Sequence, residues 1–171
     1  AALLDRIARE IEAPDGHILI KVNSLSDPRI IDALYEASNA GVQVDLIVRG
    51  ICCLRAGVPG LSEHIRVRSV VGRYLEHSRM FRFGSEARGS EYLSGSADLM
   101  PRNLDRRVEV VTPIEDPSLK ERIEEIFQLL LADDRLAWEL DDHRWHKVPV
   151  TAGLESQVAL QQRAEQRAHV E

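Results

Sequence analysis

The chain has 171 residues, with 44% hydrophobic and 29% charged side chains, the balance of one folded domain with a real core or one domain plus an appendage. Its net charge of −6 argues against a general nucleic-acid binder, and no apolar run approaches the roughly 20 residues needed to span a bilayer. The opening run AALLDRIAREIEA lacks the basic-then-apolar order of a secretory signal and does not start with Met, as expected of a piece of a longer chain.

Ala1–Glu12 carries Leu3, Leu4, Ile7, Ala8 and Ile11 on one stripe, which predicts an amphipathic helix closed by the turn chemistry of Pro14, Asp15 and Gly16. His17–Val22 reads as a strand. Asp27 followed by Pro28 is an N-cap with proline at the first helical position; that helix runs through Ile30, Ile31, Leu34 and Ala37 to Gly41. Val42–Val48 is a second apolar strand, so the three form a βαβ unit with parallel strands. Residues 51–63 form a loop broken by Gly57, Pro59 and Gly60. Cys52 and Cys53 are neighbours that cannot easily bridge each other, and are expected to be buried free thiols in a reducing cytosol.

Strands are expected at Ile65–Val71, at Ser78–Phe83 paired with Glu91–Leu93, and at Arg106–Val111. Asp116 and Pro117 open a helix with Leu119, Ile123, Ile126, Phe127 and Leu130 on one side. Trp138–Leu140 and Arg144–Val148 suit a short hairpin around Asp141 and Asp142, its two tryptophans anchoring it to the core. The expected fold class is α/β: a mixed β-sheet flanked by helices, with a C-terminal hairpin and helix appended. Residues 1–150 are read as the domain and 151–171 as a helical or partly disordered tail.

Charge is unevenly spread. Between Arg49 and Arg107 there are 11 arginines, no lysine and 6 acidic residues, whereas the rest of the chain holds 11 basic against 22 acidic residues. Arginine suits planar, bidentate contacts with phosphate, so a basic island in an acidic protein marks a localised polyanion site; its members could also decorate strand faces. Arg49 ends an apolar strand, where ligands bind in open α/β sheets. His77-Ser78-Arg79 and Gly95-Ser96-Ala97-Asp98 flank the predicted hairpin. The run Met100–Glu109 packs Arg102, Arg106 and Arg107 against Asp105 and Glu109, more charge than a solvated turn needs. His17, His64, His143, His146 and His169 have no comparable setting and read as surface or satisfied structure.

His-x-Arg, strand, turn, strand, then Gly-Ser-x-Asp is similar to the second half of the phospholipase D signature, with Arg79 for its lysine and Asp98 for its asparagine. The stretches VRGICCL, GLSE-IRVRSVVGR-LEHSR and GSAD-MPRNLDRRVE narrow this further. From Gly16 to Leu140 the chain closely resembles the C-terminal catalytic domain of the long-chain, phosphohistidine type of polyphosphate kinase.

The resemblance implies a phospholipase D-like half. It also implies an enzyme, an ATP:polyphosphate phosphotransferase, that reversibly moves the terminal phosphoryl group of ATP to inorganic polyphosphate through a phosphohistidine. Mg2+ is the implied cofactor and ATP/ADP and polyphosphate the substrates. The phosphorylated histidine and the magnesium-binding arginines belong to parts of the enzyme preceding this chain, so no metal site and no transfer activity are expected of it alone. Arg49 and His77 match residues that contact the ATP phosphates, and His77 is the candidate auxiliary acid/base. Arg79, Arg102, Arg106 and Arg107 are assigned to a polyphosphate track, with Asp105 and Glu109 as orienting partners. Partners are the preceding domains and a homo-oligomer in the full enzyme; no nucleic acid and no transmembrane segment are expected. The expected location is the cytoplasm, or a membrane surface reached through the full enzyme. Two alternatives stay open: a stand-alone polyanion- or nucleotide-binding module, and a phospholipase D-type phosphodiesterase that pairs two His77 residues in a homodimer.

Overall fold

A computed structural model describes residues 2–85 and 87–168; His169 lies outside them. Helix α1 (Ala2–Glu12) leads into strand β1 (His17–Val22), helix α2 (Pro28–Asn39) and strand β2 (Gln43–Val48). Asp27 caps α2 by accepting from the Arg29 and Ile30 N–H groups, Pro28 fixes the first turn, and Gly41 takes φ 88° beyond the helix end. These local signals place β1 parallel to β2, with Val22 opposite Val48.

After a 16-residue loop comes β3 (Ile65–Val70), parallel to β2. Strands β4 (Arg79–Phe83) and β5 (Glu91–Gly95) form an antiparallel hairpin on the other side of β1. Helix α3 (Pro101–Arg106), strand β6 (Val111–Ile114) and helix α4 (Pro117–Ala132) follow, then the hairpin β7 (Ala137–Asp141) and β8 (Arg144–Lys147) and helix α5 (Ser156–Ala168). One mixed sheet runs β6-β5-β4-β1-β2-β3-β7-β8. The expected α/β architecture is present, and the C-terminal hairpin is continuous with the sheet through β3–β7 pairing.

Helices cover both faces, which explains why the central strands are apolar on both sides. Ile7 of α1 and Ile30, Ile31, Leu34 and Ala37 of α2 pack on Ile18, Ile20, Val22, Leu46 and Phe81. Phe127 and Leu130 of α4 pack on Leu19, Ile47, Val70 and Met80 on the opposite face.

Three expectations need correction. The strand expected at Arg106–Val111 begins only at Val111. Pro101 starts a helical turn instead, with the Asn103 and Leu104 N–H groups bonding back to the Met100 carbonyl at 2.9 and 3.0 Å. Val108 is 99% exposed, so the alternation Val108-Glu109-Val110 buries no face. Both cysteines are free, but Cys53 is exposed and only Cys52 turns partly inward, where burial pushes its thiol up to about 11. Of the two tryptophans, Trp145 packs on the core, whereas Trp138 is exposed beneath the Lys147 ammonium.

A candidate phosphate-handling site at the strand ends

The C-terminal ends of β1, β2 and β5 and the start of β4 lie along one edge of the sheet, since β4 runs antiparallel to both β1 and β5. Short backbone links lace the loops there. Leu25 bridges to both Cys52 and Leu99, and the Ser26 N–H donates to the Leu99 carbonyl at 2.8 Å. Residues far apart in sequence therefore share one rim.

Asp98 is the anchor of that rim. Its Oδ1 accepts from the backbone N–H of Asn23 (2.7 Å) and Ser24 (3.2 Å), and its Oδ2 accepts from Arg79 Nη2 at 2.9 Å. Burial alone would push this carboxyl up; the Arg79 guanidinium and the two N–H groups outweigh it and hold it below the ordinary carboxylate range. Arg79 also donates to the His77 carbonyl at 3.1 Å. It is a half-buried structural ion pair, with its Nε buried and unpartnered.

Arg49 stands at the tip of β2. Its Nε donates to Asn23 Oδ1 at 3.1 Å, and among the described residues neither Nη group has a carboxylate partner. The other end of the Asn23 carboxamide donates to the His77 carbonyl at 3.4 Å. The His77 side chain is exposed, just ahead of β4. Arg49 and His77, 28 positions apart in sequence, are thus held at the same strand ends by one asparagine.

Lys21 lies beneath them, 1% exposed, its Nζ 3.1 Å from the Ser78 carbonyl and 3.4 Å from Glu76 Oε2. Burial pushes its pKa down, Glu76 partly offsets this, and Arg49 and Arg79 push it down further. An odd cation inside the apolar run HILIKV was the only sequence signal for it. Asn23, Glu76 and Gln157 were not singled out from sequence, because each works through a partner far along the chain.

Gly95 serves the backbone. A Cβ there would collide with the Val110 carbonyl, so the glycine lets β6 approach β5. Arg102, Arg106 and Arg107 are exposed and free of carboxylate partners within ion-pair distance among the described residues. The expected orienting carboxylates act elsewhere. Asp105 pairs with Arg29 at 2.8 Å, which also pairs with Asp27, and Glu109 takes the Ser96 hydroxyl and Asn103 Nδ2. Of the other histidines, His17 is held by Asp45 at 3.0 Å and by Arg82 at 2.6 Å, and His143 by Asp142 at 2.7 Å.

A cationic rim of this kind, on a mixed sheet with exposed arginine forks, suits phosphoryl oxygens. Residues 1–161 match the family described as polyphosphate kinase C-terminal domain 2. The chain belongs to that family. It is 56% identical over 141 residues to polyphosphate kinase of Thermosynechococcus vestitus, an alignment taking 80% of this chain and 19% of that protein. It is 53% identical over 148 residues to polyphosphate kinase 1 of Chlorobaculum tepidum, taking 84% and 21%. The chain therefore spans about a fifth of the length of these curated relatives. The crystal structure of polyphosphate kinase from Porphyromonas gingivalis superposes with a TM-score of 0.91 at 37% identity, over 99% of this chain and 27% of that one. Nuc from Salmonella typhimurium, a phospholipase D family member, superposes with a TM-score of 0.59 at 17% identity and supports the phospholipase D-like fold alone. The family match runs to residue 161, past the resemblance visible in the sequence, and takes in the first half of α5.

Proposed function

We propose that this polyphosphate kinase C-terminal domain forms one wall of a phosphoryl-transfer cleft. There Arg49 and His77 face the phosphates of ATP, and the terminal phosphoryl group passes reversibly between ATP and inorganic polyphosphate. The observation that carries the reading is that Asn23 holds Arg49 through its Nε, leaving both Nη groups without a carboxylate partner among the described residues, and also holds the backbone of the exposed His77 at the same strand ends.

As the terminal P–O bond of ATP breaks, charge spreads over the equatorial oxygens of the transferring group and onto the leaving ADP oxygen. A guanidinium already fixed through Nε stabilises that charge with little reorganisation. His77 donates a hydrogen bond or proton to a phosphate oxygen, as an imidazole N–H can. The phosphorylated histidine belongs, in this reading, to the rest of the enzyme, and this domain alone does not transfer phosphate. Arg102, Arg106 and Arg107 line the path of the polyphosphate; Arg79 contributes from behind by fixing the His77 backbone.

This wall does not fit a resident Mg2+. Its carboxylates are already engaged, Asp98 by Arg79 and two backbone N–H groups and Glu76 by Lys21 and Gln157. Its other polar groups are arginine, lysine, histidine and carboxamide, and among the described residues no three His, Cys, Asp or Glu side chains converge on one point. The test is ATP titration of the full-length enzyme with Arg49→Ala, together with a transfer assay on the isolated domain. Weakened ATP binding and an inactive domain are expected; unchanged affinity, or transfer by the domain alone, contradicts the reading.

A further inference from the structure

We propose that helix α5 is a working part of this site, and that Gln157 is a positioning residue for the loop that carries His77. The inference rests on the reading of His77 as a phosphate-facing group. Residues 71–78 leave β3 and reach β4 without regular structure, and Leu75 in their middle is 69% exposed. Such a segment has little of its own to hold it in one conformation.

Gln157 supplies what is missing. Its Oε1 accepts the Tyr74 backbone N–H at 2.8 Å, and its Nε2 donates to the Tyr74 carbonyl at 2.8 Å. The carboxamide thus pairs with Tyr74 as a neighbouring strand would. Nε2 also donates to Glu76 Oε1 at 3.0 Å. Glu76 continues the chain to Lys21, which holds the Ser78 carbonyl, so both residues flanking His77 are tied down. One turn along α5, the Tyr74 hydroxyl donates to Gln161 Oε1 at 2.6 Å.

The clamp is itself anchored. Ser156 donates its N–H and its hydroxyl to Asp133 Oδ2, both at 2.7 Å. Asp134 Oδ2 accepts the N–H groups of Thr151, Ala152 and Gly153, which hold it well below the ordinary carboxylate range. Gly72 fits the same contact: a Cβ there would lie 2.6 Å from Gln157 Oε1 and 2.5 Å from the Leu136 side chain. Gln157 is 3% exposed, yet each of its side-chain hydrogen bonds goes to the loop. A buried amide spent wholly on one loop orders that loop, whereas simple packing would be served by an apolar side chain.

The test uses the full-length enzyme with Gln157→Ala, Gly72→Ala, His77→Ala and the double variant Gln157→Ala/His77→Ala. Gln162→Ala, on an exposed part of α5, is the control. Transfer kinetics and hydrogen exchange over residues 71–78 are measured. Gln157→Ala and Gly72→Ala are expected to speed loop exchange and to lower kcat/KM about tenfold, the effect of losing one or two good hydrogen bonds. In the His77→Ala background the Gln157 substitution should cost nothing further in residual transfer. Unchanged loop exchange in Gln157→Ala overturns the proposal, as does an equal fold-loss with and without His77, which marks a general structural effect. If His77→Ala leaves turnover untouched, the underlying reading of His77 is wrong and the positioning role falls with it.

Discussion

Asn23 holds Arg49 and the backbone of His77 with the two ends of one carboxamide, Oδ1 taking the Arg49 Nε–H at 3.1 Å and Nδ2 reaching the His77 carbonyl at 3.4 Å. Replacing it with Ala frees the guanidinium to swing. The expected result in the full-length enzyme is about a tenfold loss of kcat/KM for ATP, the size of one hydrogen bond to a charged group. Asn23→Asp should be worse than Ala, because its carboxylate would bind Arg49 as an ion pair and compete with phosphate. Steady-state kinetics of the two variants check the order.

Asp98 ties Arg79 to the backbone at the end of β1, so its loss is a stability event before it is a catalytic one. Asp98→Ala leaves the half-buried Arg79 uncompensated, with an expected cost of about 3 kcal/mol in denaturant unfolding. The folded-state pKa of Asp98 is depressed, so its contribution is complete above the ordinary value of 3.8 and lost as pH falls below it. Unfolding midpoints measured from pH 6 down to pH 2 should fall less steeply in Asp98→Asn than in the wild type.

The βαβ unit was legible because its signals are local. The Asp27–Pro28 start, the stripe of Ile30, Ile31 and Leu34, and Gly41 beyond the end each act within a few residues. Arg49 and His77 stood out as candidates, one by its position at a strand end, the other through the wording of a whole family segment, and Asn23 brings them to the same strand ends. The rest depends on contacts across the fold. Asn23 is an ordinary loop residue until β2 and β4 flank it, and Gln157 lies 83 positions from the tyrosine whose backbone it binds. The strand expected at Arg106–Val111 failed for a physical reason: alternation predicts a face only where something covers it, and nothing covers Val108.

Lys21 and Glu76 form a buried pair under the His77 loop. Lys21→Met alone should destabilise the domain by about 3 kcal/mol, since Glu76 is left without its countercharge. Adding Glu76→Gln should restore much of that loss while keeping the Gln157 contact available. Chemical denaturation of the single and double variants measures the recovery.

Gly95 is expected to tolerate no side chain, because any Cβ meets the Val110 carbonyl where β6 joins β5. Gly95→Ala should cost about 2–3 kcal/mol through strain and a displaced edge strand. Hydrogen exchange should localise the damage to β6 and to the Ser96–Val110 contact, leaving β1 and β2 protected. Damage spread evenly over the sheet would show that the glycine has another role.

In the proposed function this domain presents His77 to the phosphates across a cleft. The most direct measurement is transfer of labelled terminal phosphate from ATP to polyphosphate by the full-length enzyme carrying His77→Ala, with its fold verified by an unchanged unfolding midpoint. Loss of a general acid/base or charge-stabilising group predicts a fall in kcat of about 100-fold or more. Turnover equal to that of the wild type would contradict it.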